Sequence, residues 1–521
     1  MPSYLHPGVY IEEIPSGSKP IEGVATSVAA FVGAANRGPV GAPILVGKFE
    51  DYVQTFGNIA SEQDAMGLAV MAFYLNGGKA AYICRLAGAG HAAAEATFDG
   101  DDGGGGAATD LLTVTASSPG TWANQYFILI SNADIAARTF DLSVGLRDSD
   151  GIFDAKESFV GLSMDSSDEN FAELQINGVS GLINVSVNAP GNEAVTDTPS
   201  VDGDGNPNGE ALTGDTAGND GAALGANDYT SFYNNILRKV RDVSIMVLPG
   251  QQWAADGSGN AAISATRAHC EATKSRVLII DPPANLELAQ AATVTTMALP
   301  TSTYTALYYP WVSMANPLYN VDLNPTAAKT VLVPPSAFAA GMWTKIDGKR
   351  GVWKAPAGVE AQLTAAAGLA FEVEDLEQDQ LNPLGINCFR KLPSFGSVIW
   401  GARTLATKAD PEWRYVPVRR TAIFIEQSIY NGIQWAVFEP NDHPLWGALR
   451  ANIGAFMNGL FRAGAFQGAK ASDAFFVRCG LGDTMTQGDI DRGQVIVIVG
   501  FAPLKPAEFV IVRIQQKVGQ Q

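Results

Sequence analysis

A chain of 521 residues exceeds what one simple core sustains and implies more than one domain, while 46% apolar and 17% charged content excludes a disordered chain. A net charge of −19 excludes the concentrated Lys/Arg surface that nucleic-acid phosphates require. No run approaches the ~18 apolar residues of a membrane span, and the N-terminus lacks the basic segment and apolar core of a secretory signal.

In chain order, Val9-Tyr10-Ile11-Glu12-Glu13-Ile14 reads as a short strand held between Pro7-Gly8 and Pro15. Its next neighbour is a Gly/Ser/Lys/Pro linker, so no hairpin partner is at hand for its N–H and C=O groups. VATSVAAFVGAANRGPV reads as a buried strand entering a turn. SEQDAMGLAVMAFYLNGG reads as a helix opened by Ser61 and Asp64, with Leu68, Met71, Ala72 and Leu75 on one face. AAYICRLAG follows as a strand, so the alternation predicts an α/β layer with a largely buried sheet.

Near residue 90 the texture changes. Residues 91–230 hold 23 Asp and Glu against 3 Lys and Arg, which accounts for the whole charge excess of the chain. LLTVTA, YFILIS, FDLSVGL and GLINVSV predict an inserted antiparallel β domain. Residues 188–228 carry few large apolar groups and are expected as a long surface loop or disordered segment. The α/β pattern resumes at DVSIMVLPG, continues through a helix near Asn260–Lys274, and reaches the strands RVLIIDPP and TALYYPWV. From a second change near Leu381, SVIWGARTL, WRYVPVRRTAIFIEQSIY and the run QVIVIVGFAPLKPAEFVIVRIQQ are expected as strands. Between them a helix begins at Asn441-Asp442 and Pro444, with Leu445, Leu449, Ile453, Phe456 and Leu460 on one face. The expected organisation is an α/β multidomain chain with extended N- and C-terminal strand arms. Residues 1–20 form an arm, 21–90 with 231–380 a middle domain, 91–230 the acidic insertion, and 381–521 a C-terminal domain.

The search for catalysis finds no G-x-S-x-G elbow, no phosphate-binding G-x-x-x-x-G-K loop and no H-E-x-x-H. His6, His91, His269 and His443 are isolated, and His269 reads as a surface or helix-end histidine. Cys84, Cys270, Cys388 and Cys479 are too scattered for a metal site or a disulfide framework and read as buried thiols. In VDGDGNPNGEALT, Asp202, Asp204 and Asn206 imitate the start of a calcium loop, but Pro207 and Thr213 stand where glycine and glutamate are required. Asp281, at the end of LIID, is where an α/β enzyme would place an acid, yet no His, Lys or metal ligand accompanies it. Lys349, Arg350, Lys354, Arg403, Arg414, Arg419 and Arg420 suggest either an ordinary solvated surface or a basic face for an acidic partner. Neither cofactor nor metal is expected.

One ordered set of segments resembles the tail sheath proteins of contractile phage tails and contractile injection systems. It comprises HPGVYIEE, FVGAANRGPV, FYLNGGKAAYICRL, SPGTWANQ, LIIDPP, YYPWV, VPPSAFAAGMWTKIDGKRGVWKAPAG, LNPLGINCFR, GARTL, WRYVPVRR, FEPND and PAEFVIVRI. The resemblance implies a subunit that stacks in rings or a helix around an inner tube and contracts to drive it through an envelope. Its partners would be further copies of itself, the tube protein, and baseplate and terminal cap proteins, with neither nucleic acid nor membrane insertion. It implies inter-subunit strand arms at Val9, Tyr10, Ile11, Glu12, Glu13 and Ile14, and at Phe509, Val510, Ile511, Val512, Arg513 and Ile514. It further implies a tube-proximal C-terminal domain, with the helix from His443 to Arg462 facing the tube and Arg450, Arg462 and Lys470 as candidate contacts. Such a particle is assembled in the cytoplasm and then forms part of a virion or an injection device. The rival expectations are an α/β enzyme with an accessory acidic domain and a static filament or surface-layer protein.

Overall fold

The computed structural model describes residues 20–189, 191, 193–287, 293, 296–322, 324–406, 410–509 and 511. It is a mixed α/β protein with several sheets, divided into a unit from Ala25 to Arg420 and a unit from Thr421 onward that includes the described residues up to Val24.

The first unit is organised by eight strands: β1 (Val28–Gly33), β2 (Pro43–Val46), β3 (Ala80–Arg85), β4 (Ile245–Val247), β5 (Val277–Ile280), β6 (Thr305–Tyr309), β7 (Ile386–Leu392) and β8 (Gly396–Ile399). Their order is β8-β7-β6-β5-β4-β1-β3-β2. The six inner strands run parallel, and β2 and β8 close the two ends antiparallel. β7 and β8 thus complete this sheet, so the texture change near Leu381 is not a domain boundary; the division falls at Arg420 and Thr421, within the helix Val416–Gly432. That helix replaces an expected strand. Its β-branched residues look extended, but Pro417 suits a first helical turn, and Val416, Val418, Ala422, Ile423 and Ile425 are all buried.

Burial on both faces of the sheet explains the continuous apolar runs. Ala30 and Val32 of β1 point into a core shared with Tyr233 and Ile263, from the helices Ala226–Asn235 and Asn260–Thr273. On the other face Phe31 meets Phe73 edge-to-face at 5.3 Å, and Tyr308 meets Trp343 at 6.3 Å. Phe73 belongs to helix Ala65–Leu75, which is capped by Asp64 alone through the Gly67 amide (2.8 Å); Ser61 lies outside it. Met66, Leu68, Ala69, Val70 and Phe73 are buried while Leu75 is 43% exposed, so this helix is wrapped on most sides and the single-face reading does not hold.

Among the buried titratable groups of this unit, Asp281, His269 and Arg85 have structural roles. Asp281 leaves β5 and accepts from the Ser336 amide (2.8 Å) and the Ser336 hydroxyl (2.6 Å), so it caps the helix Pro335–Arg350 from outside. Burial raises its pKa to about 7, against the pull of the Ser336 hydrogen bonds. His269 is buried rather than at the surface. Its ring stacks on Tyr233 (4.7 Å), and Nε2 accepts from Arg276 (3.2 Å), while burial and that cation push its pKa down to about 4.

The third is Arg85, the last residue of β3 and 2% exposed. Nε donates to the Ala35 carbonyl (2.9 Å), Nη1 to Gly38 (2.7 Å) and Nη2 to Pro119 (2.7 Å). Gly38 N donates to Ser118 Oγ (2.9 Å), and the Trp122 indole donates to the Ser118 carbonyl (3.1 Å). Three of the resemblance-carrying segments, AAYICRL, AANRGPV and SPGTWANQ, therefore converge on one guanidinium. Gly120 lies beside Arg85 and Asp220 with φ of +128°, and a β-carbon there would stand 2.7 Å from Asp220 Oδ1.

Beyond Arg85 two four-stranded antiparallel sheets share a core of Phe98, Leu112, Val114, Ile128, Ile130, Phe140, Leu142 and Val144. Residues 188–228, apart from the undescribed 190 and 192, are not a free loop. Ala194–Val195 pairs with Glu95–Asp101 in one sheet, and Glu210–Ala211 pairs with Tyr126–Asp134 in the other. Val195 and Leu212 are buried, and Thr198 N donates to the Ile130 carbonyl (3.0 Å). Small apolar residues suffice here because the segment needs to fill only the sheet margins. The Asp202–Asn206 turn is closed by its own side chains, with Asp202 Oδ1 accepting from the Asp204 and Asn206 amides (2.9 and 2.8 Å).

Replacing Arg85 by Met strips the buried Gly38 carbonyl and the partly buried Ala35 and Pro119 carbonyls of their guanidinium donor. We expect a loss of roughly 3 kcal/mol or more in urea unfolding, and new protease cleavage around residues 86–92. A second prediction concerns pH. Asp281 has a folded-state pKa above the ordinary 3.8, so it contributes stability that is full below about pH 4 and lost as the pH rises through about 7. His269 has the opposite sign, since its folded-state pKa of about 4 lies below 6.5; its contribution is present above pH 6.5 and lost as the pH falls to about 4. Thermal melts from pH 4 to 8 are expected to show a steeper fall toward acid in Asp281→Asn, because the opposing term is gone.

Candidate assembly interface

The second unit is built around two helices and a two-stranded sheet. Helix His443–Arg462 begins where Asp442 accepts from the Leu445 amide (3.2 Å), with Pro444 in its first turn. It buries Leu445, Trp446, Leu449, Ile453, Met457 and Leu460. Met457 takes the place expected for Phe456, which is half-buried and meets Phe424 at 6.1 Å. Leu445, Trp446 and Leu449 form a small core with Cys479 and Met485, against which Ile433, Trp435, Ala436, Val495 and Val497 pack.

Val495 and Val497 lead into Ile498–Phe501, the only part of QVIVIVGF that is a strand; it pairs antiparallel with Phe475–Arg478. Phe466 meets Phe475 (6.2 Å) and Phe501 (5.6 Å) on one face of this pair. On the opposite face Phe476, 50% exposed, lies over Gly500, where a β-carbon would stand 2.3 Å from its ring. Among the described residues neither strand has a second strand beside it, so each presents one open backbone edge over its four residues; just past Ile498–Phe501 the Gln467 amide donates to the Ala502 carbonyl (2.9 Å) and Phe466 bridges Pro503. Residues 20–24 run against the late turns of helix Val416–Gly432: Val24 N donates to Ser428 Oγ (3.0 Å), and Ile21 packs on Gly432.

Val9–Ile14 lies outside the described residues, as do Val510 and Val512–Ile514. Phe509 and Ile511 are described, 74% and 79% exposed, and belong to no strand. Arg450, Arg462 and Lys470 are all exposed. Arg450 donates to the Cys479 carbonyl, tying the helix to the end of the edge strand. Arg462 sits in the last helical turn, and Lys470 precedes the short helix Ala471–Ala474.

Three of the seven cations considered for a basic face turn inward: Arg403, Arg419 and Arg420 are buried, while Lys349 and Arg350 are exposed. Arg420 pairs with Asp347 (2.5 Å), donates to the Thr26 carbonyl (2.9 Å) and lies over the Trp343 ring at 4.6 Å. Arg419 stacks on Trp413 at 3.6 Å, and Arg350 pairs with Glu360 at 2.8 Å. Clustered arginines were legible in the sequence, but their internal carbonyl and aromatic partners were not.

The acid that an enzyme reading would use, Asp281, is committed to Ser336. At the strand-order reversal between β1 and β4, where open α/β sheets bind ligands, a β-carbon on Gly33 would stand 3.2 Å from the Pro249 carbonyl and within 4 Å of Met66 and Tyr229. All four cysteines are free and buried, and burial raises the thiols of Cys84, Cys270 and Cys388 to about 12. Among the described residues no group of three or more His, Cys, Asp or Glu could hold a metal ion, and no helix is long and apolar enough to cross a membrane.

Comparison with known proteins agrees with this geometry. The phage tail sheath protein central domain matches residues 222–405, and the phage tail sheath C-terminal domain matches 408–517, together more than half of the chain. A prophage protein of Pseudomonas aeruginosa strain UCBPP-PA14, described as a major tail sheath protein, is 26% identical over 180 residues, covering 34% of this chain and 44% of the relative. The tail sheath protein of Burkholderia phage BcepMu is 29% identical over 207 residues, covering 37% of this chain and 41% of the relative. Both alignments thus span less than half of the curated relatives' length. Among solved structures, the PVC sheath of an extracellular contractile injection system in its contracted state shares the fold over 99% of both chains, with TM-score 0.60 and 24% identity. A sheath tail protein from Listeria innocua covers 93% of this chain and 96% of its own, with TM-score 0.60 and 14% identity. The chain belongs to the phage tail sheath family.

Proposed function

We propose that this chain is the structural subunit of a contractile sheath, whose copies polymerise around an inner tube and shorten together to drive that tube through a target envelope. The observation that carries the reading is the two-stranded sheet Phe475–Arg478 and Ile498–Phe501, with an unpaired edge on each side among the described residues. Two segments of the chain have the composition of added strands: Val9–Ile14 and Phe509–Ile514. Supplied by neighbouring copies, one to each edge, they turn a marginal pair into a four-stranded sheet. Each hydrogen bond gained contributes about 0.5–1.5 kcal/mol net. Repeated in every copy, such links hold the mesh while the remaining contacts rearrange, and the energy released is a difference between two packings.

The acidic insertion suits an outward position, where like charge on neighbouring copies limits lateral association. Arg462 and Lys470 are exposed cations suited to an acidic tube surface, with Arg450 serving mainly to hold the edge strand. Partners beyond the tube are baseplate and terminal cap proteins, and the place of action is a phage or injection particle.

Deleting residues 1–14 is expected to leave a folded subunit with wild-type melting that forms no long sleeves in electron micrographs; normal sleeves from this variant would overturn the arm assignment. Sleeves of the intact protein in two lengths favour a contractile device over a static filament. Arg462→Glu combined with Lys470→Glu is expected to leave sleeve formation intact while lowering co-sedimentation with tubes at least tenfold.

A further inference from the structure

In the turn between the two long helices of the second unit, Phe438 is fully exposed and has a φ of +71°. A bulky L residue in the left-handed region is strained, and an aromatic ring in water forgoes the burial that favours it. The turn is nonetheless tightly held. Glu439 N donates to the Ala436 carbonyl (3.3 Å), Asn441 Nδ2 to the Gln494 carbonyl (3.0 Å), and the Trp446 indole to Asn441 Oδ1 (2.8 Å). Trp435 and Ala436 pack on the small core of Leu445, Trp446, Cys479 and Met485. Pro440 restricts the backbone on the far side. Val437, the preceding residue, is 60% exposed.

A strained, exposed aromatic on a rigid base has the form of a preorganised anchor: its ordering entropy is spent before binding, and its ring area is gained on contact. We propose that Phe438 inserts into an apolar recess of a second copy of this chain. The occupant follows from continuity with the strand edge. Val495 and Val497, which lead into the edge strand, pack on the same core as Trp435 and Ala436, and Gln494 just before them holds Asn441. A copy that donates a strand to that edge is thereby brought to the base of the turn. The inference rests on the strand-exchange reading above for the identity of the partner.

The test uses the full-length protein carrying Phe438→Gly, with Phe438→Leu and the 1–14 deletion alongside. Glycine relieves the left-handed φ and removes the ring. The expected result is a monomer that melts at or above the wild-type temperature, with a critical concentration for sleeve formation raised at least tenfold; leucine is expected to recover part of it. A wild-type critical concentration for Phe438→Gly overturns the proposal, and so does normal sleeve formation accompanied by lost co-sedimentation with tubes, which would make the tube the partner. A lowered monomer melting temperature would also overturn it, by giving the ring an internal role. If the deletion assembles normally while Phe438→Gly does not, the anchor stands and the strand-exchange reading falls. If the deletion fails and Phe438→Gly assembles, only the anchor falls.

Discussion

Every strand at the margin of a sheet leaves a row of N–H and C=O groups that must find partners, and this requirement orders the whole architecture. In the main sheet, β8 is covered by the segment 358–363, through the Gly358 amide to the Ile399 carbonyl, the Ile399 amide to Ala361 and the Leu363 amide to Ser397. At the other end β2 is only four residues long and begins at Pro43. In the insertion the segment 188–228 adds a short strand to each sheet, and Asn177 imitates a strand by both donating to and accepting from Val185. Among the described residues the long strand Phe153–Ser163 also ends its sheet without a second strand beside it, so an open margin is not peculiar to one place; the pair Phe475–Arg478 and Ile498–Phe501 differs in having one on both sides, and the assembly reading grows from that.

The same rule separates what the sequence made legible from what it did not. Helix His443–Arg462 was readable because its signals are local: an aspartate cap, a proline in the first turn and an apolar spacing. Helix Val416–Gly432 was not, since its valines and isoleucines favour strands and only burial on most sides overrides them. The segment 188–228 was read as loose because its apolar residues are few and small, although Val195 and Leu212 are the ones that matter. Arg85 offered one faint sign, a lone cation closing an otherwise apolar strand, but its three carbonyl partners come from distant parts of the chain. The resemblance to sheath proteins was legible in the ordered segments themselves, and the structure supplies a physical reason for three of them in the Arg85 hub.

Charge is distributed on a similar logic. The acidic excess sits in the insertion, where most carboxylates face water or close turns through neighbouring amides, as at Asp102 and Asp202. Many of the arginines have been drawn inward, onto carbonyls, aromatic faces and one buried carboxylate. The result is a middle layer whose cations act as fasteners, and an attached domain whose anions remain available to the solvent. Sequence counts give the totals but not this sorting, which depends on which chain segments reach each guanidinium.

The clasp at the base of the insertion has a consequence for how such chains can be altered. Ala222 N donates to the Ala89 carbonyl (3.0 Å), and Ala92 exchanges hydrogen bonds with Asn219 (3.0 and 2.9 Å), so entry and exit lie side by side. A β-carbon on Gly88 would stand 1.9 Å from the Ala222 carbonyl, so the two segments are in direct contact. A folded domain whose two ends meet can be removed by a short splice or exchanged for another without lengthening any strand of the layer beneath. The α/β layer is, in that sense, a scaffold with a built-in socket for interchangeable decoration.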